Sequence, residues 1–156
     1  MKRAKAILLS LALVLPIAIF VFLKLFGKNE FDIAVYYPNG VDSVCVENKS
    51  KPYQVPDTVL NAIQWGSKPS LITFHPAEAE IDHLKHVWEE IDQHDVTSVF
   101  LPSDLTQWRD CALLIREPWK TVLIDKNKNI RGYYNLRTRE ETDRLIVELK
   151  ILLKKY

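Results

Sequence analysis

The chain has 156 residues with 21 Lys/Arg and 20 Asp/Glu, a formal charge of +1. Five of the basic residues and none of the acidic ones precede residue 29; the rest carries 16 basic against 20 acidic residues, a net of −4. That mildly acidic body argues against a nucleic-acid protein, which needs a basic face, and two Cys exclude a disulfide scaffold and a four-cysteine zinc site.

Behind Lys2, Arg3 and Lys5 the chain runs AILLSLALVLPIAIFVFL from Ala6 to Leu23 without a charge. At about 1.5 Å per residue this nearly crosses a hydrocarbon core of about 30 Å. Leu25 and Phe26 extend it if Lys24 snorkels, and Pro16 is tolerated in a membrane helix. A cleaved secretory signal is the rival reading. The sequence after the apolar run, FLKLFGKNE, has neither a small-x-small site nor a lipidation cysteine, so an uncleaved anchor is expected. The basic N-terminus predicts a cytoplasmic start, with the body exported to the periplasmic side of the inner membrane.

Residues 1–28 are thus expected to be the anchor, 29–67 an irregular juxtamembrane lead-in and 68–156 the folded domain. Within the lead-in, Asp32–Tyr36 alternates like a short strand, and Pro38, Asn39 and Gly40 read as a turn. Lys51-Pro52 and Val55-Pro56 favour extended chain. Thr58–Trp65 is compatible with either a short helix or a strand.

From Lys68 the pattern sharpens. Ser70–Phe74 is an apolar run of strand formers. Pro76 suits a helix start, and Ile81, Leu84, Trp88 and Ile91 mark one helix face, with Val87 beside it. Val96–Leu101 is the next strand, stopped by Pro102. Ser103 is an N-cap for a second helix striped by Leu105, Trp108, Ala112 and Ile115. Trp119–Asp125 and Ile130–Tyr134 form a hairpin around Lys126–Asn129. Thr138 and Glu141 form a capping box for a last helix lined by Leu145, Ile146, Leu149, Leu152 and Leu153. The order β-α-β-α-β-β-α predicts an α/β, thioredoxin-like four-stranded mixed sheet with helices on both faces.

The stretch TVLIDKNKNIRGYYN followed by REETDRLIVELKILLKK resembles the C-terminal half of SCO/SenC proteins, and LFGKNEFDIAVYYPNGVDS and YQVPD are similar to that family's juxtamembrane region and domain start. The family comprises membrane-anchored thioredoxin-fold factors linked to copper delivery and cytochrome c oxidase assembly. Its metal site needs a Cys-x-x-x-Cys after the first core strand and a distal His before the hairpin; thiolates suit Cu(I). In this chain SLITF runs into HPAEAEIDHL, with Ala77–Ala79 where the cysteines would be and Glu117 or Pro118 in place of the His. The resemblance therefore implies the fold, the anchor and a protein partner such as the oxidase or its assembly factors, without the copper site. The same analogy raises the expectation of a cis-proline at Pro118.

The remaining candidates have plain alternatives. Cys111 lies on the apolar stripe and reads as a buried, inert thiol, a Cys45–Cys111 disulfide being the minority reading. His83, His86 and Glu90 share one helix side and offer a weak metal trio, more commonly a solvated face. His75 ends the first core strand, near where this fold places its functional loop, and His94 next to Asp95 reads as a helix end. The four tryptophans are assigned to the core, with Trp65 and the Tyr36-Tyr37 pair as a candidate binding patch. No catalytic residue, cofactor or metal ligand is assigned. The expected function is a non-enzymatic, degenerate SCO/SenC-like binding module that assists oxidase assembly. The alternative is a copper chaperone or thiol-disulfide redox protein with unconventional ligands such as His75, His83 and His86.

Overall fold

The structure, a computed structural model, describes residues 12–22, 24, 32–42, 45 and 49–154. The chain divides into two compact units, Met1–Phe31 and Asp32–Tyr156. In the first, residues 12–22 are helical, and Leu13, Ile17 and Phe20 are exposed. The spanning helix expected over Ala6–Leu23 lies partly outside the described residues. Among the described residues no helix is long and apolar enough to cross a membrane.

The second unit is an α/β fold built on a four-stranded mixed sheet. The strands are β1 (Ser70–Phe74), β2 (Thr97–Leu101), β3 (Thr121–Ile124) and β4 (Ile130–Tyr134), in the spatial order β2-β1-β3-β4. β1 and β2 are parallel, in register from Ser70↔Thr97 to Phe74↔Leu101. β1 and β3 are antiparallel, and the Thr73 and Thr121 hydroxyls meet at 3.1 Å across that pair. The expected hairpin is present: Thr121 pairs with Tyr134 and Val122 with Tyr133. Its turn is organised by Asp125, whose carboxylate accepts from the amides of Asn127 (2.7 Å) and Asn129 (2.9 Å), the local bonding that suits Asp to turns.

Among the described residues, α-helices α1 (Asp57–Ala62), α2 (Glu78–Glu90) and α3 (Arg139–Leu152) flank the sheet. Thr138 caps α3 as expected, accepting from the Glu141 amide. One core joins Leu71, Leu123 and Tyr134 of the sheet to Leu84, Val87 and Ile91 on the α2 side and Leu145, Ile146 and Leu149 of α3. The other joins Ile72, Phe74, Val122, Ile124, Ile130 and Tyr133 to Tyr53, Val55, Val59, Leu60, Ile63, Leu113 and Ile115. Residues 49–67, which the sequence suggests are an irregular approach to the domain, thus supply much of the second core, and Thr58–Trp65 resolves as most of α1 followed by a turn.

Several local expectations change. Asp32–Tyr36 is not a strand. Among the described residues its one backbone–backbone bond to β4 runs from the Tyr36 amide to the Ile130 carbonyl, 2.9 Å. On α2 the buried face is Glu80, Leu84 and Val87. Ile81 is 37% exposed and Trp88 half-buried, because the helix is rotated to bring Glu80 inward. The long second helix is replaced by a short one ending in a π-helical turn, Trp108–Ala112, with no side-chain cap from Ser103. The Leu113 amide bonds to Trp108 O and the Ile115 amide to Arg109 O. Two tyrosine hydroxyls hold the end of this turn: Tyr53 donates to Ala112 O (2.7 Å) and Tyr133 to Leu113 O (2.9 Å). They satisfy carbonyls that a regular helix would have used itself. Trp119 falls before β3 and is 40% exposed, and Trp65, Trp88 and Trp108 are half-buried.

Candidate functional site

The loop from β1 to α2 forms a site at the carboxyl end of β1. His75 leaves the strand at a φ of 40°, and its amide donates to Leu101 O at 2.9 Å. Its side chain lines a cavity of about 110 Å³ with Phe74, Ser103, Arg109, Glu117, Trp119 and Lys120. The Glu117–Pro118 bond beside it is cis. Arg109 is 3.7 Å from Glu117 and 3.1 Å from Asp110. Ala77, Glu78 and Ala79 occupy the start of α2, all exposed, so no sulfur stands in this loop. Ser103 and His75 share the cavity, but among the described residues no hydrogen bond joins them, and a nucleophile without a positioned base is not activated.

Beneath the loop lies a buried carboxylate, Glu80. The Glu80 side chain is 2% exposed. It accepts from the Ala77 amide at 2.7 Å and from Arg137 Nε at 3.3 Å, with Lys120 Nζ at 3.7 Å. The amide bond is half of a capping box. Alanine at the N-cap cannot supply the other half, and Glu three residues into the helix was the available signal.

A second buried network clamps the hairpin. Ile124 pairs with Ile130 and Leu123 with Gly132, so Arg131 is the extra residue of a β-bulge, and bulges re-aim side chains. Its guanidinium bonds Asp125 (3.2 Å), Asp32 and the Ile33 carbonyl. Asn129 Nδ2 adds a bond to Asp125 at 3.1 Å.

The two cysteines form a disulfide, Cα–Cα 5.4 Å, across 66 positions. This corrects the reading of Cys111 as a free thiol: the π-helical turn brings it to Cys45, which no local pattern reveals. Both sulfur-bearing residues line a cavity of about 190 Å³ with Pro56, Thr58, Val59, Gln107, Trp108 and Ala112. The histidine trio has separate partners. His83 Nδ1 is 2.6 Å from Leu136 O, His86 Nδ1 is 3.2 Å from Glu89, and Glu90 pairs with Lys150 Nζ at 2.7 Å. Among the described residues no group of three His, Cys, Asp or Glu is placed to hold a metal ion. Tyr36 and Tyr37 meet edge-on, and they also pack edge-on against Tyr133 and Tyr53 respectively. Burial pushes the Tyr133 hydroxyl well above its usual pKa, aided by Tyr37, and burial with the Glu148 carboxylate does the same to Tyr134. The Lys150 ammonium holds Glu90 below the usual carboxylate range, as Lys85 does for Asp82.

Comparison with known proteins found no matching family model, curated protein or solved structure.

Proposed function

We propose that this chain is a membrane-anchored, non-enzymatic binding module of thioredoxin-like fold. In this reading it is a degenerate SCO/SenC-like protein whose body faces the periplasm and whose partner is a respiratory oxidase or one of its assembly factors. One observation carries the reading. The strand order β2-β1-β3-β4 suits that fold, yet the loop after β1 opens α2 on Ala77, Glu78 and Ala79, and both cysteines are engaged with each other. Soft ligands converging on one Cu(I) have no source at that loop. The disulfide and the uncharged run from Ala6 to Leu23 support an exported, anchored protein. What remains at the loop is a small cavity edged by Trp119, His75, Arg109 and Lys120, a surface for contact instead of chemistry.

The test is competition for Cu(I) against a strong chelator under reducing conditions, alongside a pull-down of the tagged full-length protein from membranes. The expected outcome is no stoichiometric copper retained and an oxidase subunit or assembly factor recovered. One equivalent of copper held against the chelator and lost in His75→Ala, or in a variant lacking either cysteine, overturns the degenerate reading in favour of a copper chaperone.

A further inference from the structure

We propose that the Cys45–Cys111 disulfide is a thiol-disulfide exchange site of the folded protein, with a dithiol as its co-substrate. The inference is independent of the binding reading above, since it concerns another cavity and another pair of residues.

Three observations carry it. First, the bridge is reachable. Cys45 is exposed and Cys111 half-buried, whereas a bridge made only for stability is better protected inside a core. Second, both cysteines line one cavity of about 190 Å³, walled by Val59, Pro56 and Trp108 on its apolar side and by Gln107 and Thr58 on its polar side. That is room for the short segment flanking an attacking thiol. Third, Cys111 is held without help from the bridge. It belongs to the π-helical turn Trp108–Ala112, of a kind that recurs at functional sites, and the following two carbonyls are fixed by the Tyr53 and Tyr133 hydroxyls. Both tyrosines are core residues. Cleaving the bridge therefore leaves the Cys111 half in position to re-form it.

The exchange balances as follows. A thiolate of the dithiol attacks Sγ of Cys45, the exposed partner; the S–S bond breaks and its electron pair leaves on Sγ of Cys111. The second thiolate of the same dithiol attacks its own sulfur in the mixed disulfide and expels Sγ of Cys45. The two protons of the dithiol end on Cys45 and Cys111. The dithiol is oxidised by two electrons to a disulfide, and the bridge is reduced by two to a pair of thiols. Exposed bridges are the labile and regulatory ones. Reduction also opens the covalent tie across 66 positions, so the cavity beside Trp108 changes with redox state.

The experiment reduces the full-length protein in mild detergent with dithiothreitol, quenches by alkylation and counts free thiols by mass, from 0 to 1 M urea. A bridge reachable only after global unfolding is reduced faster with urea, by roughly tenfold or more per molar, because the open population rises steeply. An exchange site of the folded protein is reduced at a rate that changes less than threefold over that range, and this is the expected result. A rise of threefold or more overturns the proposal. Glutathione, a monothiol, identifies the attacked sulfur when the acid-trapped adduct is mapped. An adduct on Cys45 is expected, and an adduct on Cys111 overturns the order of attack.

Discussion

The bulge residue Arg131 offers the sharpest test of how the hairpin is built. Its side chain is 7% exposed and that of Asp125 5%, so their 3.2 Å contact is shielded from water. Replacing Arg131 with Met keeps most of the apolar stem and removes the charge. Breaking a buried pair from one side costs about 3–5 kcal/mol, because the other charge stays behind. Asp125 retains the amides of Asn127 and Asn129 and the Asn129 side chain, which places Arg131→Met at the lower end, about 3 kcal/mol. The Asp32 carboxylate, also lost as a partner, has a side chain 82% exposed and adds little, and the Ile33 carbonyl loses one donor. For a unit of this size, melting falls by about 4 °C per kcal/mol, hence about 12 °C in all. Thermal and urea unfolding of the full-length protein, followed by circular dichroism, reads this out. A double-mutant cycle with Asp125→Asn isolates the pair, and a coupling above about 1 kcal/mol is expected. Additive single effects, or a loss below about 1 kcal/mol for Arg131→Met, would refute the clamp.

Gly132→Ala is expected to destabilise by about 1–3 kcal/mol. A Cβ there comes within 2.7 Å of Tyr134 Cζ, and Tyr134 is fully buried with its hydroxyl on Glu148. Because the ring carbon Cζ is itself in the clash, Tyr134→Phe should relieve that loss only in part. On alkaline titration, followed by phenolate absorbance, Tyr133 and Tyr134 should remain protonated above about pH 10, the ordinary phenol value. Their raised pKa makes a contribution to stability that is present below about pH 10 and lost as pH rises, since at these two positions only the unfolded chain ionises there; ionisation of Tyr133 or Tyr134 near pH 10 in the folded protein would contradict it. Glu90, held low by Lys150, contributes at neutral pH, and that contribution disappears as pH falls through its folded value. Lys150→Met should raise the Glu90 pKa in an NMR titration, and an unchanged midpoint would count against the α2–α3 pair.

What the sequence determined by itself is the chain of strongly periodic elements. SLITF and the TVLI and IRGYY runs are strands because β-branched and aromatic residues cluster between turn formers, and α3 is legible because Thr138, Glu141 and the Leu145–Leu149 stripe agree on one helix. The absence of thiols from the loop that follows β1 was equally plain. Tertiary structure alone decided the rest, and the physical reasons differ. The Trp108–Ala112 stripe reads as a regular helix because its π turn depends on hydroxyls from Tyr53 and Tyr133, 55 positions upstream and 25 downstream of Trp108. Glu80 reads as a surface charge because its cations, Lys120 and Arg137, come from beyond β2. The bridge between Cys45 and Cys111 requires two Cα atoms 66 positions apart to meet at 5.4 Å, which no local pattern encodes. Local periodicity encodes which face of an element is apolar; which distant polar group completes that face is settled only when the elements pack.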